Sequence, residues 1–195
     1  MCFHGWIIGI GTASGTRIVL GHWERSPFGS FSDVMIEWEN GHRLLLAPSR
    51  QIADFVSATY VFDEVRTVPV TVRKAATTWS VVAGPLSLGL TVGRRGLLGL
   101  LLRAVPAAIA VHPAWAAVTD PLARLLLGVR TRCSAGGGRQ ERYGVTDLHP
   151  VVSATATYGR RSLGPLAPVH PAVRFGAGST PRRPSVVRIR TTVLT

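Results

Sequence analysis

The chain of 195 residues contains few of the residues that mark several functional classes. It has only two cysteines, Cys2 and Cys133, which are too few for a disulfide framework and lack the paired short spacings of a zinc knuckle. Lysine is almost absent as well, since Lys74 is the single example. The sequence therefore argues against a disulfide-rich domain and against a cysteine-based metal module.

Acidic residues are also scarce, with 10 against 22 basic residues and a net charge of +12. The excess begins after residue 64, because residues 1–64 hold seven of the ten acidic residues and only four arginines. In the arginine-rich remainder the cations come singly or in pairs, whereas nucleic-acid binders cluster them. This spacing argues against a nucleic-acid partner. Electrostatic association through residues 66–190 stays an alternative function, with an anionic membrane surface favoured over nucleic acid. A charge of this size also keeps an apolar chain soluble.

Hydrophobic residues make up 46% of the chain, which is enough for a buried core. The length predicts a single domain over residues 1–195. Apolar residues alternate with polar ones in short runs over residues 6–92 and again over residues 143–194, as in half-buried strands. A leucine-rich segment with three spaced prolines predicts short helices over residues 94–128, and a glycine-rich loop follows at 133–139. We therefore predict a mainly β (α+β) fold, an antiparallel barrel or sandwich of about eight to ten strands with a helical insertion.

Two hairpins and one helix are predicted in detail. A Thr-Ala-Ser-Gly turn joins the first two strands. The pair Asn40-Gly41 is typical of a two-residue turn, which would place Glu39 opposite His42 and Glu37 opposite Leu44. Ser49 is a good N-cap for a short helix with Ile52 and Val56 on one face. The chain then predicts a strand at residues 60–62.

Tryptophans on the predicted strands suggest a binding function. If the Trp38 face of its hairpin is core, Glu37 lies on a partly solvated face; if the hairpin is reversed, Glu37 and His42 point into the barrel. Small barrels can enclose one ligand. We predict non-catalytic binding of a small apolar or amphipathic molecule in a cavity under residues 94–128, with no cofactor. The candidate ligand-binding residues are Trp38, Glu37, His42, Trp79 and Trp115.

An enzyme is the alternative interpretation. Asp147 and His149 lie on one face of a predicted strand, as an acid–base pair would, and Cys133 comes before the three consecutive glycines of the 133–139 loop, among arginines that favour a thiolate. The six histidines form no i, i+4 pair, so we predict no metal site. The glycines of residues 9–15 resemble a dinucleotide-binding loop, but the β-branched residues that follow favour a hairpin.

The N-terminus lacks the basic region of a secretory signal, which predicts a cytoplasmic protein, with peripheral membrane association as an option. Residues 97–118 approach the length of a membrane span. Arg103, Pro106 and Pro113 interrupt that segment and argue against one.

Three segments carry a resemblance to a family of actinobacterial-type proteins of no known activity. They are Gly9–Trp23, Ser26-Pro-Phe-Gly with Phe31-Ser-Asp-Val-Met35, and Gly178-Ser-Thr-Pro-Arg-Arg-Pro-Ser185. The strand pattern is also similar to that of lipocalin-like barrels, although Gly5-Trp6 lacks the middle residue of their Gly-x-Trp signature. The first resemblance implies no activity, and neither transfers a functional residue.

Overall fold

The computed structural model describes residues 1–104, 132–134, 140–175 and 180–194. Strands account for more than half of the described residues, so the predicted mainly β class is confirmed. The strands are β1 (Cys2–Thr12), β2 (Arg17–Arg25), β3 (Phe31–Glu37), β4 (Arg43–Ala47), β5 (Glu64–Thr67), β6 (Val70–Ala75), β7 (Thr78–Ala83), β8 (Leu86–Val92), β9 (Arg132–Ser134), β10 (Gln140–Tyr158), β11 (Arg161–Ser162), β12 (Leu166–Ala167) and β13 (Ser185–Leu194). The helices are α1 (Arg50–Ser57) and α2 (Leu97–Ala104).

Ten of the strands form one strongly curled open sheet, a half-barrel. Their order is β5-β4-β3-β2-β1-β13-β10-β8-β7-β6, so β5 and β6 are the edges. Neighbouring strands are antiparallel, except that β4 and β5 run parallel. The helix α2 occupies the start of the predicted helical insertion, and residues 105–128 of that prediction lie outside the described residues.

The inner face of the sheet carries one apolar cluster. Side chains from strands far apart in the sheet order, such as Ile8 on β1, Val81 on β7 and Leu88 on β8, belong to this cluster and are at most 1% exposed. They alternate with outward-facing residues because the side-chain period of a strand is two. Each such side chain contributes about 1.5–3 kcal/mol by leaving water.

Two smaller apolar clusters cover the outer face of β1 to β4. One lies under α1, whose N-cap Ser49 accepts a hydrogen bond from the Ile52 amide at 3.3 Å, as predicted. The other lies under residues 169–175, where Val173 and Phe175 pack on Val19 and its neighbours. The outer face of this half of the sheet is therefore buried as well, and it forms a second hydrophobic core.

The Asn40-Gly41 hairpin forms, but the predicted register is wrong by one residue. Glu37 pairs with Arg43 rather than with Leu44. Gly41 alone adopts a positive φ, of 86°, and its amide donates to the Trp38 carbonyl at 2.9 Å. This is the three-residue loop built on a type I turn, in place of the two-residue turn. As a consequence Leu44 and Leu46 face inward and Leu45 faces outward.

Three further predictions have clear outcomes. The alternation in β7 and β8 is confirmed, because the inward side chains of both strands are buried. The strand predicted at residues 60–62 is wrong, since these residues lie in an irregular connection after α1 and β5 begins at Glu64. The first part of the strand pattern predicted over residues 143–194 is one long strand, β10, whose pairing shifts register after Val145 and after Val151.

Candidate ligand sites at the two ends of the half-barrel

Side chains fill the middle of the half-barrel in the part of the chain that the structure describes, so the candidate sites lie at its two ends. We name each end after an inward-facing tryptophan. The Trp38 end lies where β1 turns into β2 and where β3 and β10 finish. The Trp6 end lies at the opposite rim, where β6 finishes and β7 begins.

The Trp38 end holds a pocket of about 380 Å³. Trp38 and Tyr158 form its aromatic wall, with ring centroids 4.8 Å apart and ring planes nearly perpendicular. Arg66 on β5 donates a hydrogen bond to the Tyr158 hydroxyl at 3.1 Å, which fixes the tyrosine ring. The lining residues are Ser14, Thr16, Trp38, Glu39, Asn40, Tyr158, Arg161 and Leu163.

Polar groups surround this aromatic wall. The hydroxyls of Thr12, Ser14 and Thr16 form a hydrogen-bonded chain, with oxygens 3.1 Å and 2.9 Å apart. One carboxylate, Glu39, and one guanidinium, Arg161, stand at the rim, so their formal charges balance. Apolar ring faces beside a few directed polar groups are the usual composition of a small-molecule pocket.

Glu37, a predicted ligand-binding residue, lies on the outer face and is fully buried there. Its Oε1 lies 2.9 Å from a guanidinium nitrogen of Arg17 and 2.9 Å from Nε of Arg174, and its Oε2 accepts from the Arg174 amide at 2.6 Å. The first alternative was right that the Trp38 face is core, but the Glu37 face is buried rather than partly solvated. The reason is that residues 169–175 cover it, and the carboxylate ties this segment to the sheet.

The other predicted ligand-binding residues fall in different places. His42 lies in the hairpin loop with its Nε2 3.3 Å from an oxygen of Glu64, outside the pocket lining. Trp79 faces inward at the Trp6 end, and its edge also borders an outer-face hollow of about 400 Å³. Trp115 lies outside the described residues.

At the Trp6 end, four inward residues stand side by side on adjacent strands. His22, Trp6, Arg188 and Asp147 are direct partners along β2, β1, β13 and β10, and paired residues share a face. Trp79 closes the group from β7, with its ring perpendicular to His22 at 5.6 Å and steeply inclined to Trp6 at 5.9 Å.

Charged groups are concentrated at this end. The ammonium of Lys74 lies 4.3 Å from the Trp6 ring centre, and the guanidinium of Arg188 lies 5.3 Å from the same centre. Glu24 accepts a hydrogen bond from the Trp6 indole nitrogen at 3.0 Å and approaches Arg188 at 3.7 Å. Sequence reasoning singled out Trp79 and Asp147 but not Glu24, Lys74 or Arg188, although Lys74 is the only lysine in the chain.

Asp147 and His149 do meet, with 3.4 Å between an aspartate oxygen and Nε2. However, Arg95 binds both oxygens of Asp147 at 2.8 Å, and Nδ1 of His149 donates to the Gly93 carbonyl at 3.2 Å. Burial alone would raise the pKa of Asp147, but the hydrogen bonds from Arg95 and the neighbouring His149 hold it below its usual value. A carboxylate occupied in this way is a weak base, so the cluster acts mainly to anchor the residues before α2.

Cys133, the third predicted catalytic residue, lies on β9 opposite Glu141. That position is six residues before Asp147 on β10, or about 20 Å along a strand that rises about 3.3 Å per residue. The register therefore gives no support for a site that combines Cys133 with Asp147.

Two properties concern membranes and metals. Neither described helix is long and apolar enough to cross a membrane. Within residues 1–104, 132–134, 140–175 and 180–194, no three His, Cys, Asp or Glu side chains are grouped as a metal ion would need.

Comparison with known proteins assigns no family. No family model matches the chain, and no curated protein matches it. One solved structure, titled "Structural Studies of Acetoacetate Decarboxylase", aligns with 99% of this chain and 86% of that chain. The TM-score is 0.46 and the sequence identity is 9%, which is too distant to indicate an activity.

Proposed function

We propose that the protein binds a small amphipathic molecule in the Trp38 pocket without changing it chemically. The observation that carries this proposal is the perpendicular pair of Trp38 and Tyr158 beside an open volume of about 380 Å³. Ligand pockets usually have volumes of roughly 300–1,000 Å³, so this one suits a small ligand.

The lining favours a molecule with one apolar face and several hydroxyl or carbonyl groups. The rings of Trp38 and Tyr158 offer large apolar area at little conformational cost, since Arg66 already fixes the tyrosine. The hydroxyls of Ser14 and Thr16 can both donate and accept. Because the pocket carries one acidic and one basic residue, we expect an uncharged ligand rather than an ionic one.

Calorimetric titration with phenyl glycosides, fatty alcohols and hydroxylated terpenoids tests the proposal. At least one compound should bind saturably, and Trp38→Ala should weaken its affinity about tenfold or more, since the substitution removes the aromatic wall. Trp79→Phe is the matched control, because it changes a tryptophan at the opposite end and should leave the affinity within about twofold.

Two results would contradict the proposal. One is the absence of saturable binding across the whole panel. The other is binding that Trp38→Ala leaves intact while its circular dichroism spectrum shows a native fold.

A further inference from the structure

The charges at the Trp6 end are unevenly compensated. Lys74 lies on the edge strand β6, directly opposite Trp79, and its ammonium rests on two indoles, 4.3 Å from Trp6 and 4.9 Å from Trp79. Among the described residues, no carboxylate oxygen lies within 4 Å of that ammonium. Within that part of the chain, the ammonium is therefore stabilised by electron-rich ring faces rather than by a paired carboxylate.

A second cation shares one of these indoles. Arg188 also lies over Trp6, and its side chain is 53% exposed. Among the described residues its ion-pair partner is Glu24, whose Oε2 lies 3.7 Å from the guanidinium while Oε1 accepts the Trp6 indole hydrogen, so one carboxylate faces two cations. The other carboxylate in this row, Asp147, is held by Arg95 on both oxygens. Two like charges thus stand on one ring with incomplete neutralisation, which favours a bound anion.

The neighbouring histidine provides a neutral wall. Nδ1 of His22 is hydrogen-bonded to the Ser32 hydroxyl at 2.8 Å, and its ring packs edge-on against Trp79. Burial lowers the pKa of His22, and the charge of Lys74 lowers it further against the opposing effect of Glu24. Near neutral pH this residue adds no positive charge, and the cations of the site are Lys74 and Arg188.

We propose that Lys74 and Arg188 form an oxyanion-binding site at the Trp6 end, separate from the Trp38 pocket. Arginine offers a planar fork that matches two oxygens of a phosphate or carboxylate, and lysine adds a compact point charge. The ligand is a phosphate or carboxylate group, carried either by a soluble metabolite or by an anionic lipid headgroup. Both cations are solvent-accessible, so the group can arrive without opening the fold.

The single lysine allows a direct experiment on the whole chain. Reductive methylation with ¹³C-formaldehyde keeps the positive charge and labels only Lys74 and the N-terminal amine. A Lys74→Arg variant identifies the lysine signal. Inorganic phosphate is titrated at constant ionic strength, and we expect a saturable shift of the Lys74 signal.

Two charge-matched variants separate a site from general screening. Arg188→Gln should raise the phosphate concentration at half-saturation about tenfold or more, as expected for loss of a charge-assisted bidentate contact. Arg73→Gln removes the same charge from the residue next to Lys74, which points to the opposite face of β6, and should change that concentration less than about twofold. A non-saturating drift, or equal effects of the two variants, would overturn the proposal.

Two additional arms complete the test. Vesicles of phosphatidylglycerol broaden the Lys74 signal if the natural ligand is a lipid headgroup, and leave it sharp if only the soluble anion binds. If Arg188→Gln fails to fold, the melting temperature serves instead: phosphate should raise it in the unaltered protein and not in Lys74→Met. Trp38→Ala should leave the phosphate titration unchanged, so failure here is distinguishable from failure of the Trp38 pocket.

Discussion

The two ends of the half-barrel share the same strands but differ in chemistry. At the Trp38 end, aromatic rings and hydroxyls surround a pocket whose single carboxylate and single guanidinium balance. At the Trp6 end, indoles carry Lys74 and Arg188 with incomplete compensation. Between them the inner face is apolar, because a two-residue period brings every second side chain into the core. Inward positions can carry polar chemistry only near the rims, where solvent reaches them.

The outer face of β3 carries two buried carboxyl groups, and they too differ in whether a positive charge compensates them. Glu37, beneath the Trp38 end, is neutralised by Arg17 and Arg174. Asp33, beneath the Trp6 end, accepts a hydrogen bond from the Trp23 indole at 3.2 Å, and burial raises its pKa to about 7. The same strand therefore pairs one buried acid with two guanidinium groups and holds the other largely protonated below neutral pH.

The largest expected effect comes from removing the charge at Glu37. Glu37→Gln leaves the guanidinium of Arg17, which is 3% exposed, without its partner, and should lower the free energy of unfolding by about 3–5 kcal/mol. Urea denaturation at pH 7 measures this loss. Glu39→Gln is the control on the same hairpin, and because that side chain is exposed it should stay within about 0.5 kcal/mol. Equal stability of the two variants would mean that the ion pairs of Glu37 with Arg17 and Arg174 do not anchor residues 169–175 to the sheet.

Asp33 should produce a stability that falls as pH rises. Its folded pKa of about 7 lies above the ordinary value of 3.8, so the folded state binds the proton more tightly than the unfolded state. Stability contributed by this proton is complete below about pH 4 and declines by up to about 1.4 kcal/mol per pH unit until about pH 7. Asp33→Asn keeps an acceptor for Trp23 and removes the slope.

Urea denaturation from pH 4 to pH 8 compares the two proteins. We expect Asp33→Asn to be the more stable protein at pH 8, with the difference shrinking towards pH 5. Parallel profiles would show that Asp33 is not the buried acid that the geometry indicates.

A smaller effect is expected at the Trp6 end. Arg95→Gln removes both hydrogen bonds to Asp147 and should cost about 1–2 kcal/mol at pH 7, since the arginine side chain is partly exposed. The pKa of Asp147 is held below its usual value in the folded state, so the stabilisation is present above that value and is lost as pH falls. The difference between the proteins should therefore shrink on titration to pH 3.

The exposed neighbour Arg94 provides the control, and Arg94→Gln should leave stability within about 0.5 kcal/mol. If both variants lose the same stability, the effect belongs to net charge and not to the contact with Asp147.

The sequence predicted local features well where chemistry is local. Ser49 caps α1 by accepting a hydrogen bond from the amide of Ile52, three residues away. In β7 and β8 the apolar residues that alternate in the sequence are the ones that are buried. The register of the Asn40-Gly41 hairpin failed because this dipeptide fits two loop lengths, and only the observed loop places Leu44 and Leu46 in the core.

The site residues were harder to predict because their partners are distant in sequence. Glu37 meets Arg174 across 137 residues, and Arg95 meets Asp147 across 52. Alternating acidic residues such as Glu37 and Glu39 are typical of a solvent-exposed strand face. The sequence does not show that residues 169–175 cover this face. The predicted ligand-binding residue Trp38 does line a pocket, because its face of the hairpin is the inner one; that it binds a ligand stays a prediction.

The difference between the two ends is tested most directly by ¹⁹F NMR of protein labelled with 5-fluorotryptophan. The five tryptophans give five signals, which single Trp→Phe variants assign. We predict that the best amphipathic ligand of the panel shifts the Trp38 signal and leaves Trp6 unchanged, whereas inorganic phosphate shifts Trp6 and leaves Trp38 unchanged. Movement of one common signal by both ligands, or of neither signal by either, would contradict the account of two chemically distinct sites.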